Sequence, residues 1–212
     1  MVKRKHALLI LTLLLFPAPL LAEQVPVVGL YDNMPIAYDK TTGTISGYFN
    51  ESTGAGQFSC IFYFSGKLQG HEAKIVSYFP DTPTDKIDGV LTFSELPNKE
   101  LKIKLKEEHG GCWNVQHFAD SDPASFTMDE AHASWRAIDI VKSKKAYFYS
   151  APQNSSRLTS YLVKGDAVAI ISEQGDWYRI EYKGKKLISG YLHKSDLFGL
   201  PWISKSHHST PQ

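Results

Sequence analysis

The chain is poor in cysteine, has no excess of either charge, and holds no long apolar run after residue 22. Each shortage excludes something. Two cysteines with no histidine pair beside them cannot make a structural zinc site, which needs three or four converging ligands. A balance of 23 Lys and Arg against 22 Asp and Glu leaves no basic excess for nucleic acid. Without a stretch near the roughly 20 apolar residues that span a bilayer, the chain after residue 22 carries no transmembrane helix. Catalytic signatures are missing too. Ser-x-x-Lys, Gly-x-Ser-x-Gly and His-Glu-x-x-His do not occur, and His71-Glu72 lacks its second histidine. His109, His117 and His132 are scattered, each read as a surface or satisfied histidine, and His207-His208 sits in a polar tail. Glu107-Glu108 is a poor carboxylate pair, because neighbouring strand residues point to opposite faces. No cofactor, metal site or enzymatic activity is expected.

What is present begins at the N-terminus. Lys3, Arg4 and Lys5 precede an uncharged run from Ala7 to Phe16, broken by Pro17 and Pro19. Leu20-Leu21-Ala22 ends in a small residue before Glu23. This is the layout of a secretory signal peptide, residues 1–22, cut near Ala22, with a periplasmic or secreted product. In an oxidising compartment Cys60 and Cys112 are expected to pair. Closing a loop of about 50 residues stabilises by about 4 kcal/mol in the chain-entropy model.

Charge changes sign along the chain. Residues 23–135 hold 8 Lys and Arg against 16 Asp and Glu, a net of −8; residues 136–197 hold 11 against 6, a net of +5. The change places a domain boundary near Trp135. Either the two parts attract each other, or the basic part faces an anionic surface.

Residues 23–135 read as an antiparallel β domain, a barrel or sandwich. Ile45, Gly47 and Phe49 alternate with Ser46 and Tyr48; Cys60, Phe62 and Phe64 alternate with Ile61 and Tyr63. The first set marks a buried face. Tyr63 and Ile61 imply that the other face is covered as well, or lines a cavity. Leu101, Ile103 and Leu105 alternate with Lys102, Lys104 and Lys106, a half-buried strand whose lysines guard an edge. Thr127 to Glu130 fits a capping box, so a short helix is expected to connect the domains.

From residue 136 the rhythm shortens, with turns every eight to twelve residues as in a small barrel. Lys164-Gly165-Asp166 is followed by the apolar Val168 to Ile171, then Gly175-Asp176-Trp177, Gly184-Lys185 and Gly190-Tyr191-Leu192. In this order the segments resemble the bacterial SH3 family, over about residues 136–197. Two positions depart from the family: Phe148-Tyr149-Ser150 stands where an Arg is common, and Tyr191 replaces the Trp of a Gly-Trp pair.

The resemblance implies an all-β module, residues 136–200, that binds cell-wall peptides or proteins and catalyses nothing; residues 201–212 form a polar tail. Tyr147, Tyr149, Trp177 and Tyr191 are the ligand-binding candidates, with Tyr178 and Tyr182 as further aromatics. Trp177 equally suits the barrel core, whereas Tyr149 and Tyr191 suit a half-wet groove. The expected protein is an exported binding module for a cell-wall peptide or an envelope protein. The alternative is a periplasmic inhibitor or immunity protein that neutralises a secreted toxin or a wall-cutting enzyme.

Overall fold

The computed structural model describes residues 28–94 and 100–199. The expected signal peptide and the Leu200-Pro201-Trp202-Ile203 segment lie outside the described residues. The described chain is all β, in two sheets.

The first sheet is a closed antiparallel barrel of eight consecutive strands: β1 (Gly29–Tyr31), β2 (Met34–Asp39), β3 (Thr44–Thr53), β4 (Phe58–Gln69), β5 (Glu72–Phe79), β6 (Thr82–Phe93), β7 (Glu100–Leu105) and β8 (Ala124–Ala131). Pairing of β1 with β8 closes it. The alternation read in the sequence sets its faces. Ile45, Phe49, Cys60, Phe62 and Phe64 fill the interior with Ile103 and Leu105. Each Phe so buried is worth about 1.5–3 kcal/mol. Gly47 leaves room for that filling, since a Cβ there would lie 2.4 Å from Phe64 Cζ.

The segment between β7 and β8 closes one end of the barrel. Phe118 enters from it and meets Phe49 and Phe62 edge-on, with ring centroids 5.0 and 4.9 Å apart. The Cys60–Cys112 disulfide ties this lid to β4. Glu108 holds it locally, one carboxylate oxygen accepting from both Phe118 N–H and Ala119 N–H at 2.7 Å.

Two expectations are corrected. Thr127–Glu130 is not helical; it lies inside β8. The period of two in that segment, with Ala124, Phe126 and Met128 against the core and Ser125, Thr127 and Asp129 outside, outweighs the capping pattern. Hydrogen bonding to β7 on one side and β1 on the other is what completes the barrel. Nor do the lysines of β7 guard an edge, because β7 pairs with both β6 and β8. They have local partners instead: Lys102 lies 3.7 Å from Glu100 and Lys104 donates to Ser121 O, while Lys106, just past the end of β7, pairs with Asp88.

The second sheet contains β9 (Ala137–Ile140), β10 (Ala146–Tyr149), β11 (Arg157–Leu162), β12 (Ala167–Gln174), β13 (Trp177–Lys183) and β14 (Leu187–His193), in the order β11-β10-β14-β13-β12-β9. Phe148, Ile170, Tyr178, Ile180 and Leu192 lead its core. The tight turn before β12 needs Gly165, at φ +94, and Asp166 braces it by accepting from Val163 N–H.

A third apolar cluster joins the two sheets. Tyr48, Tyr63 and Tyr78 from the barrel's outer face pack with Trp135, Ile138, Ile140 and Ala169. The covered second face of β4 is thus explained: Tyr63 is 0% exposed because the second module lies on it. Burial pushes the Tyr48 phenol up to about 12, helped by the Asp166 and Asp81 carboxylates. Ile138 N–H donates to Ser46 Oγ at 2.9 Å, and Trp135 Nε1–H donates to Glu181 Oε2 at 2.7 Å. The opposite charges of the two parts meet here. Arg136–Asp39, Lys183–Glu130 and Lys164–Asp81 are ion pairs at 3.2, 2.7 and 3.0 Å. Each pair has at least one well-exposed side chain, so each adds little beside the apolar cluster.

Candidate binding face

Strand alternation decides which aromatics of the second module face outward. In β10, Ala146 and Phe148 are buried, which turns Tyr147 and Tyr149 to the other side. Cross-strand partners share a face, so Tyr149 lies beside Tyr191 of β14 and Arg157 of β11, and Trp177 of β13 beside His193.

These side chains form a continuous surface. Tyr149 meets Trp177 edge-on at 4.6 Å, and the Trp177 and His193 rings lie 3.6 Å apart. His193 Nε2 is held 2.9 Å from Asn154 Oδ1, which fixes the imidazole. Further along, Tyr147 packs edge-on against Tyr161, with Arg157 over the Tyr147 ring at 4.9 Å and Lys145 over the Tyr161 ring at 4.5 Å. The result is an aromatic floor edged by cations. It offers stacking and phenolic hydrogen bonds, and donors to carboxylates or peptide carbonyls.

The four sequence candidates are therefore brought to one face, in unequal roles. Tyr147, Tyr149 and Tyr191 are half-exposed. Trp177 is 8% exposed yet lies outside the apolar core cluster; it is a buried support, wedged between Tyr149 and His193. Tyr178 and Tyr182 point the other way. Tyr178 belongs to the core, where burial raises its phenol pKa well above the ordinary range, and Tyr182 packs against that core. Sequence reading missed His193, Arg157, Tyr161 and Asn154. The signal for His193 was available, since it stands two residues after Tyr191 on the same face.

Two cavities lie between barrel and module. One of about 200 Å³ is bordered by Met34, Tyr48, Trp135, Asp166 and Glu181; one of about 470 Å³ by Tyr48, Ile61, Phe79, Ile140, Lys164 and Phe198. Inside the barrel, Ser77 Oγ and His109 Nε2 lie 2.9 Å apart, both buried. Ser77 donates its hydrogen to Ile87 O at 3.0 Å, which ties the pair to β6.

A small all-β module with a solvent-facing aromatic sheet belongs among binding modules. Residues 144–198 match the family model of the bacterial SH3 domain, and the C-terminal part of this chain is such a domain. The match begins after β9, so the barrel and the first strand of the second sheet lie outside it. No curated protein and no solved structure matches the chain. The two positions that depart from the family pattern lie on the same face. Arg157 pairs with Tyr149 across the strands, and its guanidinium lies over the Tyr147 ring. Tyr191 lies opposite Tyr149, with Gly190 beside it giving way to Phe148: a Cβ there would lie 2.9 Å from Phe148 Cδ1.

Proposed function

We propose that this chain is an exported, periplasmic or secreted binding protein without catalytic activity, whose SH3 module takes a cell-wall peptide or an envelope protein on the Tyr149–Trp177–Tyr191–His193 face. The observation that carries this reading is the aromatic face itself: Tyr149, Tyr191 and His193 stand half-exposed beside the core, with Trp177 buried as support between Tyr149 and His193. The signal-like N-terminus and the paired cysteines support export.

The test is retention of the purified mature chain on insoluble peptidoglycan, with captured envelope proteins identified in parallel. Tyr149→Ala and Tyr191→Ala each remove a half-exposed ring, and each is expected to weaken retention about tenfold or more, within the range of stacking and hot-spot losses. Unchanged retention in both variants would remove this face from the reading. The inhibitor or immunity reading draws on the net charge of −8 over residues 23–135, which suits docking on a basic wall-cutting enzyme. Loss of muropeptide release by such an enzyme, in the presence of the mature chain, would favour it.

A further inference from the structure

The barrel carries a second feature, separate from the SH3 face. Its two exposed large apolar side chains, among the described residues, are Trp113 at 64% and Phe58 at 42%, and both lie at the lidded end. This clustering has a structural basis. The β3–β4 hairpin runs past the barrel wall, with residues 50–59 exposed. Its interior face continues outward beyond Cys60, so Thr53 and Phe58, which are cross-strand partners, look toward the lid. Thr53 Oγ1 donates to Asn114 O at 2.8 Å, and the Cys60–Cys112 disulfide fixes the 3-10 turn Cys112–Asn114 that presents Trp113. Gly111, at φ +88 with a Cβ position 2.3 Å from Ser59 O, lets the turn lie directly on β4. His117 meets the Trp113 ring edge-on at 5.3 Å, and Asp120 lies 3.9 Å from His117.

An indole held out on a cross-linked turn loses little freedom when a partner covers it. Large aromatics of this kind anchor protein interfaces. The charge around it selects the partner. Residues 50–59 and 107–122 contain Glu51, Glu107, Glu108, Asp120 and Asp122 and no Lys or Arg of their own; the flanking cations are Lys104, which donates to Ser121 O, and Lys106, which is paired with Asp88. All but Glu108 are exposed, and Glu108 is committed to the lid.

We infer that the lidded end of the barrel, centred on Trp113 and Phe58, is a docking surface for a protein with a basic surface patch. It is independent of the ligand taken by the SH3 face. Trp113 fills an apolar pocket of that partner, and the carboxylates steer and rim the contact.

The experiment places a photo-cross-linking benzoylphenylalanine at Phe58 in the full mature chain and irradiates it in extract of the source cells. The cross-linked protein is identified by mass spectrometry, purified and titrated against wild-type and variant chains. A partner with a basic patch is expected. Trp113→Ala should weaken it at least about 30-fold. The pair Glu51→Lys with Asp120→Lys should slow association about tenfold, and 300 mM salt should weaken binding to the wild type. These substitutions fall on exposed side chains and leave the disulfide intact, and circular dichroism of each variant checks that it folds. Tyr149→Ala should leave this affinity unchanged, which separates failure here from failure of the SH3 reading. Cross-links only to a second copy of this chain, no cross-link above that of a probe at exposed Ser125, or a change below threefold for Trp113→Ala would each overturn the inference.

Discussion

Removing the Cys60–Cys112 bond should destabilise the barrel by about 4 kcal/mol, the chain-entropy value for a closed loop of this length. The loop is defined by the sequence separation of 52 and spans β4 through β7, so in the unfolded chain the bond restrains half of the barrel. A domain of this size has a net stability of about 5–15 kcal/mol, which makes the loss a large fraction of the whole. With a urea slope of about 2 kcal/mol per molar, the midpoint should fall by about 2 M. The assay is urea unfolding, followed by circular dichroism, of the mature chain and of the Cys60→Ala, Cys112→Ala double variant. Both cysteines are fully buried, and alanine avoids leaving a buried hydroxyl without a partner. The lid would still hold its hydrogen bonds through Glu108, Thr53 and Leu105. A midpoint shift below about 0.5 M would therefore mean that these local contacts, and not the cross-link, set the stability of the lidded barrel, and the loop-entropy reasoning would fall.

Two further outcomes follow from buried groups. Trp135→Ala should cost about 3–5 kcal/mol by emptying the joint between the sheets, and Trp135→Phe about 1–3 kcal/mol by leaving Glu181 without the indole N–H; equal losses in calorimetry would refute the split between packing and hydrogen bonding. Burial holds the pKa of His109 below its ordinary 6.5, against the opposing pull of the Asp85 and Glu108 carboxylates. The unfolded chain thus binds the proton first. The resulting stability is present above pH 6.5 and is lost as pH falls toward the folded-state value. His109→Gln should flatten the dependence of Tm on pH between 7.5 and 5, and an unchanged slope would refute this assignment.

Much of this architecture was legible because one rule, alternation along strands, governs both sheets. Ile45, Phe49, Cys60, Phe62 and Phe64 declare their face in the sequence; Tyr63 and Ile61 on the opposite face imply a covering or a cavity, and the structure covers Tyr63 while Ile61 borders a cavity. The rule failed at β8, where a local capping pattern was read ahead of a weak alternation whose value lies in closing the barrel, a contact about 100 residues distant. Closure also made the lysines of β7 ordinary outer-face residues, which no local pattern could reveal. At the candidate site the aromatic types were readable but their roles were not. Trp177 and Tyr178 are neighbours, and only the pairing of Trp177 with His193 decides that the tyrosine enters the core. Arg157 was invisible as a site residue, because its place depends on a shift of register between β10 and β11.

The family match and the folding unit have different boundaries, and the difference can be tested. The matched segment begins at residue 144, after β9. Yet β9 pairs with β12 along Ala167–Ile170, and Val141, just beyond it, bridges Leu197 and is wholly buried in the module core. A fragment of residues 144–199 would leave the N–H and C=O groups of Ala167–Ile170 as an open edge beside exposed Ala169 and Ile170, a template for association with other chains. A fragment of residues 136–199 keeps that edge paired, although its Ile138, Ile140 and Ala169 lose the cover of Tyr48, Tyr63 and Tyr78. The longer fragment should unfold cooperatively and remain monomeric in sedimentation. The shorter one should aggregate, or lack a cooperative transition. Equal behaviour of the two would mean that β9 belongs to the joint and not to the module, and that the SH3 core is complete without Val141. The ligand face lies on β10, β11, β13 and β14, none of which pairs with β9, so a failed binding assay on the short fragment would report the broken edge and say nothing about Tyr149.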